Sequence, residues 1–142
     1  MNMTIRQFIT AMLLIAGAAV LSGCSGSRTQ DARALAEDFA RAYYSADYAA
    51  AARMCSSELE QMVREIGSVV DSLPGAAQEE FMELSHGVQT YAVEVHEWSR
   101  DSVTVDFDII YPGEIEPMKT ALTVVREPEA DVWKVVYAQE RM

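Results

Sequence analysis

Val103-Thr104-Val105-Asp106-Phe107-Asp108-Ile109-Ile110-Tyr111 alternates apolar and polar side chains along most of its length. A period of two sets Val103, Val105, Phe107, Ile109 and Tyr111 on one face, which predicts a β-strand covered on one side. Upstream, Tyr91, Val93 and Val95 alternate with Ala92, Glu94 and His96 in the same way. Downstream, Pro112-Gly113 marks a turn. Residues 118–126 and 132–139 then supply two more strands around Glu127-Pro128-Glu129. Four sequential strands with short connections predict an antiparallel meander. If the odd-numbered apolar residues of the first two strands share a face, paired positions have an even sum. That in turn predicts a three- or five-residue loop between Trp98 and Val103.

Ahead of this sheet the period lengthens to that of a helix. Leu35, Phe39 and Tyr43 recur in steps of four behind Asp31, a residue suited to capping. Asp47 is placed to cap a second, short helix around Ala49 to Ala52. Ser57 and Glu60 have the spacing of a capping box. Leu59, Met62, Val63, Ile66, Val69, Val70 and Leu73 follow with the three-four spacing of an amphipathic helix. Pro74-Gly75 ends it, and residues 76–85, with Ala77, Phe81 and Leu84 on one side, predict a fourth helix. Helices followed by a one-sided sheet predict an α+β layer fold.

The 142-residue chain carries 22 acidic and 11 basic side chains, a formal net charge of −11. Phosphate binding needs clustered Lys and Arg, so a nucleic-acid role is disfavoured, as is charge-driven attachment to anionic lipid. The two cysteines are Cys24 and Cys55. Free Cys is among the most buried residue types, so Cys55 is expected to be a small core hydrophobe.

Residues 1–23 have the layout of an export signal: Arg6, an apolar run from Phe8 to Leu21, then Ser22 and Gly23. The run falls short of the roughly 18 to 20 residues that a spanning helix needs. Leu21-Ser22-Gly23-Cys24 resembles the lipobox of bacterial lipoproteins. The resemblance implies lipid transfer to the Cys24 thiol, cleavage before Cys24, and acylation of the new amino terminus. Several acyl chains would give stable anchoring. Position 25 is Ser rather than the Asp that retains many such proteins in the inner membrane. That favours the outer membrane facing the periplasm. Residues 24–30 are expected to form the lipidated cysteine and a flexible tether, and residues 31–142 a single domain.

The domain resembles the ketosteroid-isomerase or nuclear-transport-factor-like superfamily. Three features carry this: the segment from Phe39 through Asp47-Tyr48 to the Ala-rich run at 49–51, the strands after it, and the closing Val132-Trp133-Lys134-Val135-Val136. The resemblance implies a cystatin-like or nuclear-transport-factor-like cone. In it, N-terminal helices pack on a curved four-stranded antiparallel sheet, often around an apolar pocket. It does not imply one function, because that fold hosts isomerases, dehydratases, transport factors and plain binding modules.

Tyr91, Phe107, Tyr111, Trp133 and Tyr137 are candidates to line such a pocket or simply to fill the core. Glu94, His96, Asp106 and Asp108 fall on the opposite, polar phase. In one register His96 lies across from Asp106, which could orient it as a base, but a solvated outer face is the favoured reading, because a general base must reach a substrate that the apolar side would hold. His86 and His96 lie far apart without close Cys or Glu spacing, so no metal site is expected, and no phosphate loop or nucleophile elbow implies a cofactor. The expectation is a membrane-anchored envelope lipoprotein acting as a non-enzymatic binding or adaptor module. Its partner would be a small apolar ligand or another envelope protein. The alternative is an isomerase- or dehydratase-like enzyme acting on an apolar ligand in the cone.

Overall fold

The structure, a computed structural model, describes residues 26–141. The expected export signal, the lipidation site Cys24 and Ser25 lie outside the described residues. Residues 31–142 form one compact unit. Among the described residues, four helices, α1 (Gly26–Tyr44), α2 (Tyr48–Arg53), α3 (Ser57–Asp71) and α4 (Gly75–His86), precede four strands. These are β1 (Gln89–Ser99), β2 (Ser102–Ile110), β3 (Met118–Glu127) and β4 (Val132–Arg141). The strands pair in sequence order as one curled, unclosed antiparallel sheet, and the fold is α+β as its pattern predicts. Among the described residues, no helix is long and apolar enough to cross a membrane.

Helix α1 is already formed at Gly26, so Asp31 lies within it rather than capping it, and residues expected as tether are helical. No proline interrupts 26–30, and Ser, Arg, Thr and Gln all tolerate a helix. Its buried face is lined by Ala32, Ala36 and Ala40 together with Phe39. The helix ends in a Schellman turn: the Asp47 amide donates to the Ala42 carbonyl at 2.8 Å, and that of Ala46 to Tyr43 at 3.1 Å. Ala46 holds the left-handed position at φ 66°. Asp47 then caps α2 as expected, its side chain accepting from the Ala50 amide at 3.2 Å.

The capping box at Ser57 does not form. Ser56 is the cap residue, in extended conformation, and Glu60 instead accepts from Arg64 one turn on, at 2.9 Å. Helix α3 crosses close to α2 at Gly67, where a Cβ would sit 3.2 Å from that of Tyr48.

Strands β2 and β3 run in unbroken register, from Ser102↔Val125 to Ile109↔Met118. Irregularities fall on their outer neighbours. Ala92 pairs with Phe107 and Glu94 with Asp106, so Val93 is an extra residue; Trp98 is extra between Glu97↔Val103 and Ser99↔Ser102. In β4, Val136 is extra between Val135↔Val124 and Tyr137↔Thr123. Each bulge moves the following side chains to the other face.

Positions with an even sum therefore pair only from Glu94 to Glu97. The β1–β2 hairpin closes through two residues, Arg100 and Asp101, because the bulge at Trp98 absorbs the offset that a longer loop was expected to supply. The inner face carries Val103, Val105, Phe107, Ile109, Leu122, Val124 and Val135, all at most 1% exposed. Burying side chains of this size stabilises the fold by roughly 1.5–3 kcal/mol each.

Arg126 ties the two hairpin ends together. Its amide donates to the Asp101 carbonyl, its Nε to Asp101 Oδ1 at 2.8 Å and its Nη1 to Asp131 Oδ1 at 2.6 Å. The hydrogen bonds to Asp131 and Asp101 push the Arg126 pKa further up.

Candidate functional site

A cavity of about 200 Å³ opens between α1, α3 and the inner face of β3 and β4. Helix α1 contributes Phe39, Tyr43 and Tyr44, and α3 contributes Leu59, Met62, Val63 and Ile66. The floor is Thr120, Leu122 and Ala138. The stripe that builds α1 and the stripe that builds α3 thus converge on one space over the sheet. The aromatic wall is itself ordered. Phe39 and Tyr43 stack with centroids 5.7 Å apart, while Tyr44 and Tyr48 meet Tyr43 edge-on at 5.1 and 5.6 Å. Burial, then the neighbouring Tyr43 and Tyr111, pushes the Tyr48 hydroxyl pKa up.

Among the described residues, the lining holds no carboxylate, imidazole, amine or thiol. Its polar groups are the two tyrosines and Thr120, whose hydroxyl donates to the Gln139 carbonyl at 3.1 Å. Such a space can take an apolar molecule by burial. It is on the scale of the roughly 150 Å³ cavities that hold a benzene-sized ligand.

None of the five aromatic candidates on the strands lines this cavity. Phe107 is buried in the core, and Tyr111 and Trp133 pack half-buried against it. Tyr91 and Tyr137 lie on the outer face, each about half exposed, which corrects the expectation that both face the helices. The reason is the same for both. Tyr91 precedes the bulge at Val93 and pairs with Asp108, and Tyr137 follows the bulge at Val136 and pairs with Thr123. Apart from Tyr44, the actual lining residues of α1 and α3 were visible in the sequence as helix stripes. Only their convergence was not.

The outer face holds the polar candidates. His96 pairs in register with Thr104 rather than with Asp106, yet its Nε2 lies diagonally 3.1 Å from Asp106 Oδ2 and 3.7 Å from Glu94 Oε2. Trp98 stacks on the imidazole at 6.1 Å, and its Nε1 donates to Thr104 Oγ1 at 2.8 Å. Asp108 pairs with Lys119. His86 ends α4, away in the chain from this group. Ala121, the register partner of Asp106, alternates with Thr120 and Leu122 of the cavity floor, so the imidazole–carboxylate pair and the cavity occupy opposite faces.

Cys55 is buried at 3% exposure, and its thiol donates to the Ala51 carbonyl at 3.2 Å. The sequence matches no protein-family model and no curated protein.

Proposed function

We propose that this chain is an envelope lipoprotein, anchored through Cys24, whose nuclear-transport-factor-like domain binds a small apolar molecule without transforming it. The leader and the Leu21-Ser22-Gly23-Cys24 tetrapeptide support the anchoring, and Ser25 favours the outer membrane. Helices packed on a curled antiparallel sheet are compatible with that fold. The observation that carries the binding role is the cavity of about 200 Å³, lined on three sides mainly by apolar and aromatic side chains. Its volume suits a single ring or a short acyl chain rather than a large cofactor, since drug-sized ligands occupy roughly 300–1,000 Å³.

The test is methyl NMR with benzene as the probe. Saturable shifts are expected at Leu59, Val63 and Leu122, and Ala138→Trp, on the exposed side of the floor, should abolish them by filling the mouth. Shifts scattered over the surface, or unchanged in the variant, would exclude the cavity as a binding site.

The 3.1 Å contact between His96 and Asp106 is the observation that favours the enzyme reading. A general base must reach the proton it takes. Here the sheet lies between that pair and the cavity, so the binding role is the stronger reading.

A further inference from the structure

Glu94, His96 and Asp106 offer three ligand atoms within 4.8 Å of one another, on residues that sequence spacing leaves unconnected. The bulge at Val93 is what assembles them. It sets Glu94 and His96 on the outer face of β1 and aligns Glu94 with Asp106 on β2. We propose that these three side chains bind one divalent transition-metal ion of the zinc class.

Both separations from the imidazole fit such an ion. Tetrahedral ligands at roughly 2.0–2.1 Å from zinc stand about 3.4 Å apart. The separations from His96 Nε2 are 3.1 Å to Asp106 Oδ2 and 3.7 Å to Glu94 Oε2, one on each side of that value. With the proton on Nδ1, the imidazole presents its Nε2 lone pair toward both oxygens. An imidazole nitrogen between two carboxylates suits zinc or its neighbours, where calcium and magnesium prefer an all-oxygen shell.

Two further features point the same way. Asp106 Oδ1 is buried and has no hydrogen-bond partner among the described residues, so this carboxylate carries charge that a cation on Oδ2 would help to compensate. The imidazole is also held in place. Trp98 stacks on it with an interplanar angle of 26°, and Trp98 is tied through Thr104 to Thr123 at 3.0 Å. A ligand whose plane is fixed in advance loses less freedom on binding. Glu94 is largely exposed, which leaves the remaining coordination positions to water.

The site lies on the face opposite the cavity, and the proposal stands whether or not the cavity binds a ligand. The experiment uses the full chain without a polyhistidine tag, in detergent and a non-chelating buffer, stripped of metal and titrated calorimetrically with zinc chloride. One ion per chain is expected. His96→Ala should weaken binding at least tenfold and Glu94→Gln measurably, while His86→Ala should leave it unchanged. Cobalt chloride should give the strong visible bands of a four-coordinate ion, lost in His96→Ala. Glu94→Gln alters an exposed side chain, so it reports on binding even if Asp106→Asn disturbs folding. Absence of saturable binding, or binding that His96→Ala does not weaken, would overturn the proposal and leave the three residues as a surface ion-pair cluster.

Discussion

Cys55 and Val135 form a lone parallel bridge beside a sheet whose ladders are all antiparallel. The Val135 amide donates to the Met54 carbonyl at 2.8 Å, and the Ser56 amide to the Val135 carbonyl at 2.9 Å. The turn between α2 and α3 is thereby stitched to β4, with the thiol enclosed at the seam.

That enclosure has a pH signature. Burial, and secondarily Glu60, pushes the Cys55 pKa from 9.0 up to about 11. The folded state favours the neutral thiol, so this contribution is complete below the unfolded value and is lost as pH rises through the folded one. Between pH 9 and 11, urea denaturation should show about 2–3 kcal/mol of stability lost on this account. Cys55→Ala should show a correspondingly flatter profile. At neutral pH without denaturant, peptide mapping should find Cys55 scarcely modified by a water-soluble thiol reagent, and rapid modification would contradict its burial.

The bulges separate aromatic residues that look equivalent in sequence. Phe107→Ala should cost about 3–5 kcal/mol because the ring is wholly enclosed. Tyr91→Ala and Tyr137→Ala should each stay within roughly 0.5 kcal/mol, as exposed positions do. Chemical denaturation of the three variants measures the difference, and equal costs would mean that the strand phase is uniform after all.

Ala46 occupies a position where a Cβ is unfavourable. An L-residue in the left-handed region costs roughly 1–2 kcal/mol, partly offset in glycine by its freer unfolded chain. Ala46→Gly should therefore raise stability by about 0.5–1 kcal/mol, seen as a higher denaturation midpoint at unchanged slope.

Anchoring is tested at the residue proposed to carry it. Cys24→Ser should abolish lipid attachment and leave a precursor that retains its leader, which mass spectrometry of the expressed protein distinguishes. A normally shortened, membrane-held variant would refute the lipoprotein reading.

The helices and strands were legible because their periods differ so plainly: Leu59, Val63, Ile66 and Val70 against Val103, Val105, Phe107 and Ile109. The Asp47 cap was legible because an Asp before an Ala-rich run has one good use. The bulges were not, since Val93, Trp98 and Val136 are residues any regular strand would accept. No glycine marks the break. Once the phase shifts unseen, Tyr91 and Tyr137 are assigned to the wrong face. The nearness of His96 to Asp106 was legible on the polar phase, but its diagonal geometry and the alignment of Glu94 with Asp106 were hidden for the same reason. An apolar pocket was expected, but its lining was missed differently, because two stripes far apart in sequence announce burial but not what lies between them.

All three extra residues sit on the outermost strands, β1 and β4, while the central β2–β3 ladder is regular. An outermost strand presents a row of unmatched amides and carbonyls on which another chain could assemble, and the longer and flatter that row, the better the template. Here β1 is interrupted twice along its length, and β4 is interrupted once and already engaged at Val135. An approaching strand finds only a few consecutive groups in step before the spacing fails. Copies of this protein crowded side by side would thus meet along margins that do not propagate, and the same irregularities that obscure its faces in sequence guard it against fibrous self-association.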